Sequence, residues 1–316
     1  MISWLKRTAA LSTIAFVAAC GGSNDDVAPA PAPLKNIVEV AKTNPDLSIL
    51  VEAVVAADLA TTLSAPGGAG LTVFAPTNAA FAALLTELGV TKDALLANKP
   101  LLTAVLTYHV LPTRVFAANI PFGAHNTTLQ GGFFKIEQVG TAVVITDARN
   151  RSSNITATDI VANNGIIHVV DKVILPGNKT IVQTAQAAPD FSILVEAVVA
   201  AGLVDTLSSA GPFTVFAPTN AAFAALLTEL GITKAALLAN KALLIKVLTY
   251  HVIADVVLKA EVPVGDVTTV EKETFAVSKT FAITDQRARV ANITATDLLT
   301  SNGVIHTIDK VILPKP

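Results

Sequence analysis

Between Leu47 and Leu63 the apolar residues Leu47, Leu50, Val51, Val54 and Val55 recur at helical spacing, which predicts a helix with one buried face. Thr72–Ala75 is a short β-branched and aromatic run stopped by Pro76, hence a strand. Thr77 or Asn78 then stands where it can cap a helix that runs through Leu88 and stops at Gly89. Leu101, Leu102, Val105 and Leu106 predict a further helix leading up to Tyr108-His109. Towards the carboxyl side the pattern changes to strands, Ile155–Val161 and Ile166–Leu175, joined by an Asn164-Gly165 turn. Helices early and strands late predict the α+β class with an antiparallel or mixed sheet.

The whole pattern occurs twice. SILVEAVVAA stands at Ser48–Ala57 and Ser192–Ala201, and TVFAPTNAAFAALLTELG at Thr72–Gly89 and Thr214–Gly231. LTYHV at Leu106–Val110 returns at Leu248–Val252, NITATD at Asn154–Asp159 returns at Asn292–Asp297, and DKVILP closes both copies at Asp171–Pro176 and Asp309–Pro314. So long a period means tandem globular domains, not a solenoid. The second copy lacks two residues near Ala65–Gly70 and four between His109 and Asn154, where surface loops are expected. The boundaries read as residues 34–176 and 180–316, with 177–179 between them. So short a connection predicts domains held in contact or within a narrow range of angles.

The amino terminus breaks from this scheme. Lys6 and Arg7 precede the mostly apolar stretch Thr8–Ala19, and small residues lead into Cys20, so residues 1–19 have the charge and cleavage-site chemistry of a secretory signal peptide. Val17-Ala18-Ala19-Cys20 resembles a bacterial lipobox, in which the cysteine is lipidated and becomes the first mature residue. Cys20 is the chain's single cysteine, so intrachain disulfides and cysteine-ligated metals are excluded. Residues 20–33 (the cysteine and the Pro/Ala-rich GGSNDDVAPAPAP) read as an anchored, partly extended tether. Gly21, where an aspartate would favour inner-membrane retention, points to the outer membrane.

Composition narrows the partners. Hydrophobic residues make up 52% of the chain and charged ones 15%, yet no run approaches the roughly 18–20 uninterrupted apolar residues of a spanning helix. A formal charge of −2 offers no basic stripe for phosphates, so no nucleic-acid partner is expected. The membrane partner is expected through the lipid on Cys20.

TVFAPTNAAF, Tyr108-His109 and NGIIHVVDKVILP, in this order and twice over, resemble the two signatures of the fasciclin domain and the Tyr-His motif between them. The resemblance covers nearly all of residues 34–316. It implies two tandem domains, each a β-wedge packed with several helices, and a role in cell-surface or matrix adhesion through protein or polysaccharide contacts. In animal members an Asp-Ile pair before the second signature is linked to integrin binding. Asp159-Ile160 fits it, whereas the second copy has Asp297-Leu298. The Tyr-His motif, similarly linked, falls on Tyr108 and His109 and on Tyr250 and His251.

Each candidate also has a structural reading. His109 and His251 follow apolar helical stripes and suit buried, hydrogen-bonded imidazoles, as do His168 and His306 within apolar strands. A zinc site from His109 and His168 lacks close ligand spacing, so no metal is expected. Asp159 and Asp297 suit backbone donors at a strand end as well as a receptor. Asn78 and Asn220 read as helix caps, and Asp171-Lys172 and Asp309-Lys310 as surface pairs or solvated charges. No nucleophile elbow or phosphate loop stands out, and Ser48 and Ser192 show no acid–base partner, so neither an enzyme nor a cofactor is expected. The rival reading is a carrier of a hydrophobic small molecule, pigment or lipid, in an apolar groove.

Overall fold

The computed structural model of the chain describes residues 34–65 and 70–316; the expectations for the signal peptide, Cys20 and the tether lie outside the described residues. Repeat one opens with α1 (Ile37–Thr43), whose start is closed by a capping box: Asn36 Oδ1 accepts from Glu39 N while the Glu39 carboxylate accepts from Asn36 N. Next come α2 (Ser48–Ala56) and α3 (Ala60–Ser64). The single helix expected over Leu47–Leu63 is therefore broken, and the break falls at Asp58, in the left-handed region with φ 57°. The second copy has Gly202 at this point, with φ 72°, ending its helix as a left-handed cap.

The rest of repeat one is β1 (Leu71–Pro76), α4 (Asn78–Leu88), α5 (Lys92–Ala97), α6 (Lys99–Tyr108), β2 (Val110–Leu111), β3 (His125–Thr127), β4 (Phe133–Val139), β5 (Ala142–Thr146), β6 (Ser152–Ala162) and β7 (Gly165–Val170). Repeat two follows the same order. Its helices are α7 (Ile181–Gln186), α8 (Ser192–Ala201), α9 (Val204–Ser208), α10 (Asn220–Leu230), α11 (Lys234–Ala239) and α12 (Lys241–Tyr250). Its strands are β8 (Phe213–Pro218), β9 (Val252–Ile253), β10 (Gly265–Thr268), β11 (Thr274–Val277), β12 (Ala282–Thr284), β13 (Val290–Leu299) and β14 (Gly303–Ile308).

Each repeat builds one seven-stranded mixed sheet, in the order β2-β1-β7-β6-β5-β4-β3 and its counterpart β9-β8-β14-β13-β12-β11-β10. β1 and β7 run parallel, as do β8 and β14, and the remaining pairings are antiparallel. The class is α+β, with two such units in tandem, as expected. Alternation along the strands divides each repeat's interior in two. Val73, Ala75 and Ile167 face the helices, while Phe74 and Val170 face a second core with Phe134, Ile136 and Ile145.

Two local expectations shift. The turn between β6 and β7 is Asn163-Asn164, because Ala162 already pairs with Gly165. Gly165 belongs to the strand, where a Cβ would lie 2.3 Å from the Leu71 carbonyl oxygen of β1, so only glycine permits that approach. The strand expected over Ile166–Leu175 ends at Val170. Val173, Ile174 and Leu175 are buried beyond it, and their backbone is held by side chains instead of a ladder: Ile174 N donates to His109 Nε2 (3.1 Å) and Leu175 N to Asp147 Oδ2 (2.9 Å).

Asn78 and Asn220 are not the caps of their own helices. Thr77 and Thr219 are, accepting from Ala80 N and Ala222 N. Asn78 instead reaches the neighbouring helix, where its Oδ1 accepts from Ile49 N (2.9 Å) and its Nδ2 donates to Pro45 O and Ser48 Oγ. Asn220 does the same with Ile193 N, Pro189 O and Ser192 Oγ. Ser48 and Ser192 are thereby engaged structurally. Asp171 is bound to Asn154 N, Asn154 Nδ2 and Ser153 Oγ, closing the open end of β6 and β7, and Asp309 takes Asn292 in the same way.

Candidate functional site

Tyr108 and Tyr250 are fully buried, so neither presents a surface to a partner, and the expectation of adhesive contact through them is corrected. Tyr108 Oη donates to Phe133 O (2.5 Å) and accepts from Ala148 N (3.0 Å), tying the end of α6 to the strand layer. Tyr250 Oη donates to Thr274 O (2.7 Å). Burial pushes both phenols well above their ordinary range. His109 and His251 are likewise interior. His109 Nδ1 donates to Val105 O (2.7 Å) while Nε2 accepts from Ile174 N, and His251 repeats this with Val247 O and Ile312 N. Both rings are neutral, and burial pushes their pKa down to about 4. Their role is to hold the DKVILP tails where the strands run out. Both nitrogens of His109 are committed to backbone, and so are those of His168, so neither offers a lone pair to a metal.

The aspartates stand elsewhere. In β6 the pairing register shifts between Ala157 and Ile160, and Asp159 occupies the irregularity with φ 59°. His168 fixes it from below: Nε2 donates to Val115 O (2.9 Å) and Nδ1 accepts from Asp159 N (3.2 Å). Asp159 Oδ1 accepts from Ala117 N (2.9 Å), and the residue is exposed. Ile160 is half-buried against the helical core. Repeat two builds the same bulge, with Asp297 at φ 60°, His306 Nδ1 accepting from its N–H and Lys259 N donating to Oδ1 (2.7 Å). Leu298 packs partly buried against that repeat's core. His168 and His306 are thus the supports of the two aspartates, each also lying beside a phenylalanine, Phe74 or Phe216.

The two aspartates differ in what covers them. Asp297 is buried, and its Oδ2 lies 3.1 Å from Lys135 Nζ of β4 in repeat one. Around this pair the repeats are joined. Phe133 enters a buried apolar cluster with Val256, Leu258, Leu299 and Val304 of repeat two. Asn150 bonds both backbone groups of Leu299, donating to its carbonyl (3.0 Å) and accepting from its N–H (2.9 Å). His125 meets Glu261 at 2.8 Å, and a Cβ on Gly123 would lie 2.8 Å from Ala260 Cβ. Asp297 is therefore part of an internal joint, which corrects its reading as a contact for an outside partner, and Leu298 is turned into the core of its own repeat.

Sequence reasoning missed Phe133, Lys135 and Asn150. The signal for them emerges only once the fold aligns the two copies. Their counterparts in repeat two, placed by the matching hydrogen bonds of Tyr108 and Tyr250 and the matching left-handed turns, are Thr274, Ala276 and Ala288. Chemistry-bearing side chains in one copy and small ones in the other mark a surface with a repeat-specific task.

Beside His109 and His251 lie apolar cavities of only about 30 Å³ each. That is far below the ~300 Å³ at which small-molecule pockets begin. A cleft of about 230 Å³ between the repeats is lined partly by His125, Asp255 and Asn302. Among the described residues no helix is long and apolar enough to cross a membrane.

The model of the Fasciclin domain family matches residues 45–176 and 189–314. Protein sll1483 of Synechocystis sp. is 46% identical over 149 residues, covering 46% of this chain and 79% of that protein. Transforming growth factor-beta-induced protein ig-h3 of Oryctolagus cuniculus is 31% identical over 253 residues, 78% of this chain but 35% of its own length. Periostin of Homo sapiens is 31% identical over 189 residues, 60% of this chain and 21% of its own. The chain thus spans a minor part of these two animal relatives. Among solved structures, the FAS1 domain pair from the insect cell adhesion molecule Fasciclin I aligns at 17% identity and a TM-score of 0.40, over 86% of this chain and 98% of that one. On the match of the family model to both repeats, the chain belongs to the Fasciclin domain family and carries two of its domains in tandem.

Proposed function

We propose that the chain is an adhesion or matrix-interaction protein of a cell envelope, exported by residues 1–19, held in the outer membrane through lipid on Cys20, and contacting proteins or polysaccharides of surfaces or matrix. The observation that carries this reading is the unequal covering of two equivalent aspartates. Asp297 is sealed in the joint between the repeats, while Asp159 stands exposed on a bulge held rigidly by His168. Family membership supports it. Because the Asp297 face is internal, one chain offers one such face. Multivalency then arises from many anchored copies across a membrane, each raising the effective concentration of the next. No bond is made or broken in this mechanism. The small volume of the two apolar cavities beside His109 and His251 argues against a carrier site at those positions.

The test is cell aggregation together with binding to arrayed glycans and matrix proteins. Cys20→Ala is expected to move the protein out of the membrane fraction. Asp159→Asn is expected to leave it there while weakening aggregation. Unchanged aggregation after deletion of the whole chain overturns the reading.

A further inference from the structure

The face that repeat two gives to the joint has an uncovered counterpart on repeat one. Matching hydrogen bonds align the copies without ambiguity here: Thr72 Oγ1 donates to Thr113 O as Thr214 Oγ1 does to Asp255 O, and Ala117 N meets Asp159 as Lys259 N meets Asp297. Phe116 therefore corresponds to Leu258 and Val161 to Leu299. In repeat two these positions are 0% and 1% exposed; in repeat one they are 39% and 46% exposed. Asp297 is covered and Asp159 is open. Among the described residues no side chain pairs with Asp159 Oδ2, the oxygen whose equivalent on Asp297 takes a lysine. An aromatic, an aliphatic and a carboxylate are thus left uncovered in the arrangement that, one repeat further on, is buried by Phe133, Lys135 and Asn150.

We infer that the Phe116, Asp159 and Val161 face of repeat one docks a domain of another polypeptide that presents an aromatic side chain and a lysine at alternate positions of one strand. This rests on the adhesive reading and names its partner class. The occupant follows from charge complementarity and from the joint itself, which displays the same face filled by Phe133 and Lys135 of β4. A second copy of this chain does not supply that chemistry. Its own Phe133 and Lys135 are consumed within the molecule, and the corresponding surface of repeat two carries Thr274, Ala276 and Ala288. A head-to-tail contact that found its complement on every copy would run on into filaments. The small residues at the far end stop the series at two. Arg114, in place of Val256, further separates the open face from the closed one and adds a cation at its rim.

The test restores the missing complement. The full chain carrying Cys20→Ser, so that lipid plays no part, is compared with the same chain bearing Thr274→Phe, Ala276→Lys and Ala288→Asn. In sedimentation velocity the parent is expected to stay monomeric. The triple variant is expected to gain at least about twofold in weight-average mass over a hundredfold rise in concentration. Adding Asp159→Asn is expected to reverse that gain. Circular dichroism and the thermal midpoint establish that each variant folds, and a triple variant that does not fold is replaced by Ala276→Lys with Ala288→Asn. A folded variant that stays monomeric, or associates only after Arg114→Val, overturns the inference. So does association indifferent to Asp159. Because these outcomes are read in solution, they leave the aggregation assay to judge the adhesive reading separately.

Discussion

Lys135 Nζ lies 3.1 Å from Asp297 Oδ2, and this buried pair fastens β4 of one repeat to β13 of the other. Removing the lysine of such a pair leaves a buried carboxylate without its cation, a loss of up to about 3–5 kcal/mol. Asp297 keeps its bond from Lys259 N, so the loss falls on the coupling between repeats and not on either fold. Lys135→Ala is expected to split a single calorimetric transition into two. Persistence of one transition at an unchanged midpoint would count against the joint as described.

Asn150 offers a cleaner measure of the same coupling. It sits in the left-handed region at φ 59°, and Ala288 occupies the equivalent turn at φ 58°, so this backbone accepts alanine. Asn150→Ala then removes little besides the two bonds to Leu299. Leaving those backbone groups unpaired in the joint costs about 1–3 kcal/mol. The urea midpoint of the chain is expected to fall accordingly, whereas Ala288→Gly, far from the joint, is expected to leave the inter-repeat coupling intact.

Fold class, tandem organisation and the placing of α4, α6, β1 and β6 were legible because each rests on local periodicity or on words written twice. What escaped was whatever depends on distant partners. Asn78 has the chemistry of a cap, yet Thr77 takes that place and Asn78 caps the neighbouring helix across 29 residues. Val173–Leu175 have a strand's composition, but their backbone is satisfied by His109 and Asp147, which no local pattern announces. Tyr108-His109 and Asp159 look alike as short motifs. Only the fold sends the first inward and the second out.

Asn78→Ala is expected to cost more than Thr77→Ala. The threonine gives up one capping bond, about 1 kcal/mol. The asparagine gives up three, to Ile49 N, Pro45 O and Ser48 Oγ, and with them the register of α2 against α4, for about 2–3 kcal/mol. Asn220→Ala in repeat two is expected to match it. Denaturant midpoints for the three single variants decide the order, and equal losses for Asn78→Ala and Thr77→Ala would refute the bridging role.

Acid should loosen both repeats. His109 and His251 are held neutral in the fold, their pKa pushed down to about 4 by burial, while an unfolded histidine titrates near about 6.5. Below the unfolded value the unfolded chain binds the proton and the folded chain does not, so stability is whole above it and drains away as pH falls to the folded value. Each histidine is responsible for on the order of 3 kcal/mol across that window. His306, also pushed down by burial, adds in the same direction. Asp147 acts oppositely, since burial raises its carboxyl and protonation relieves it. With two histidines at full depth against it, the net slope remains that of the imidazoles. Urea midpoints are expected to drop from about pH 7 to about pH 4, with the His109 and His251 Nε2 resonances staying those of neutral rings until unfolding. Midpoints flat over that range, or either ring charged in the folded chain at about pH 6, would contradict the buried tail-holding role given to them.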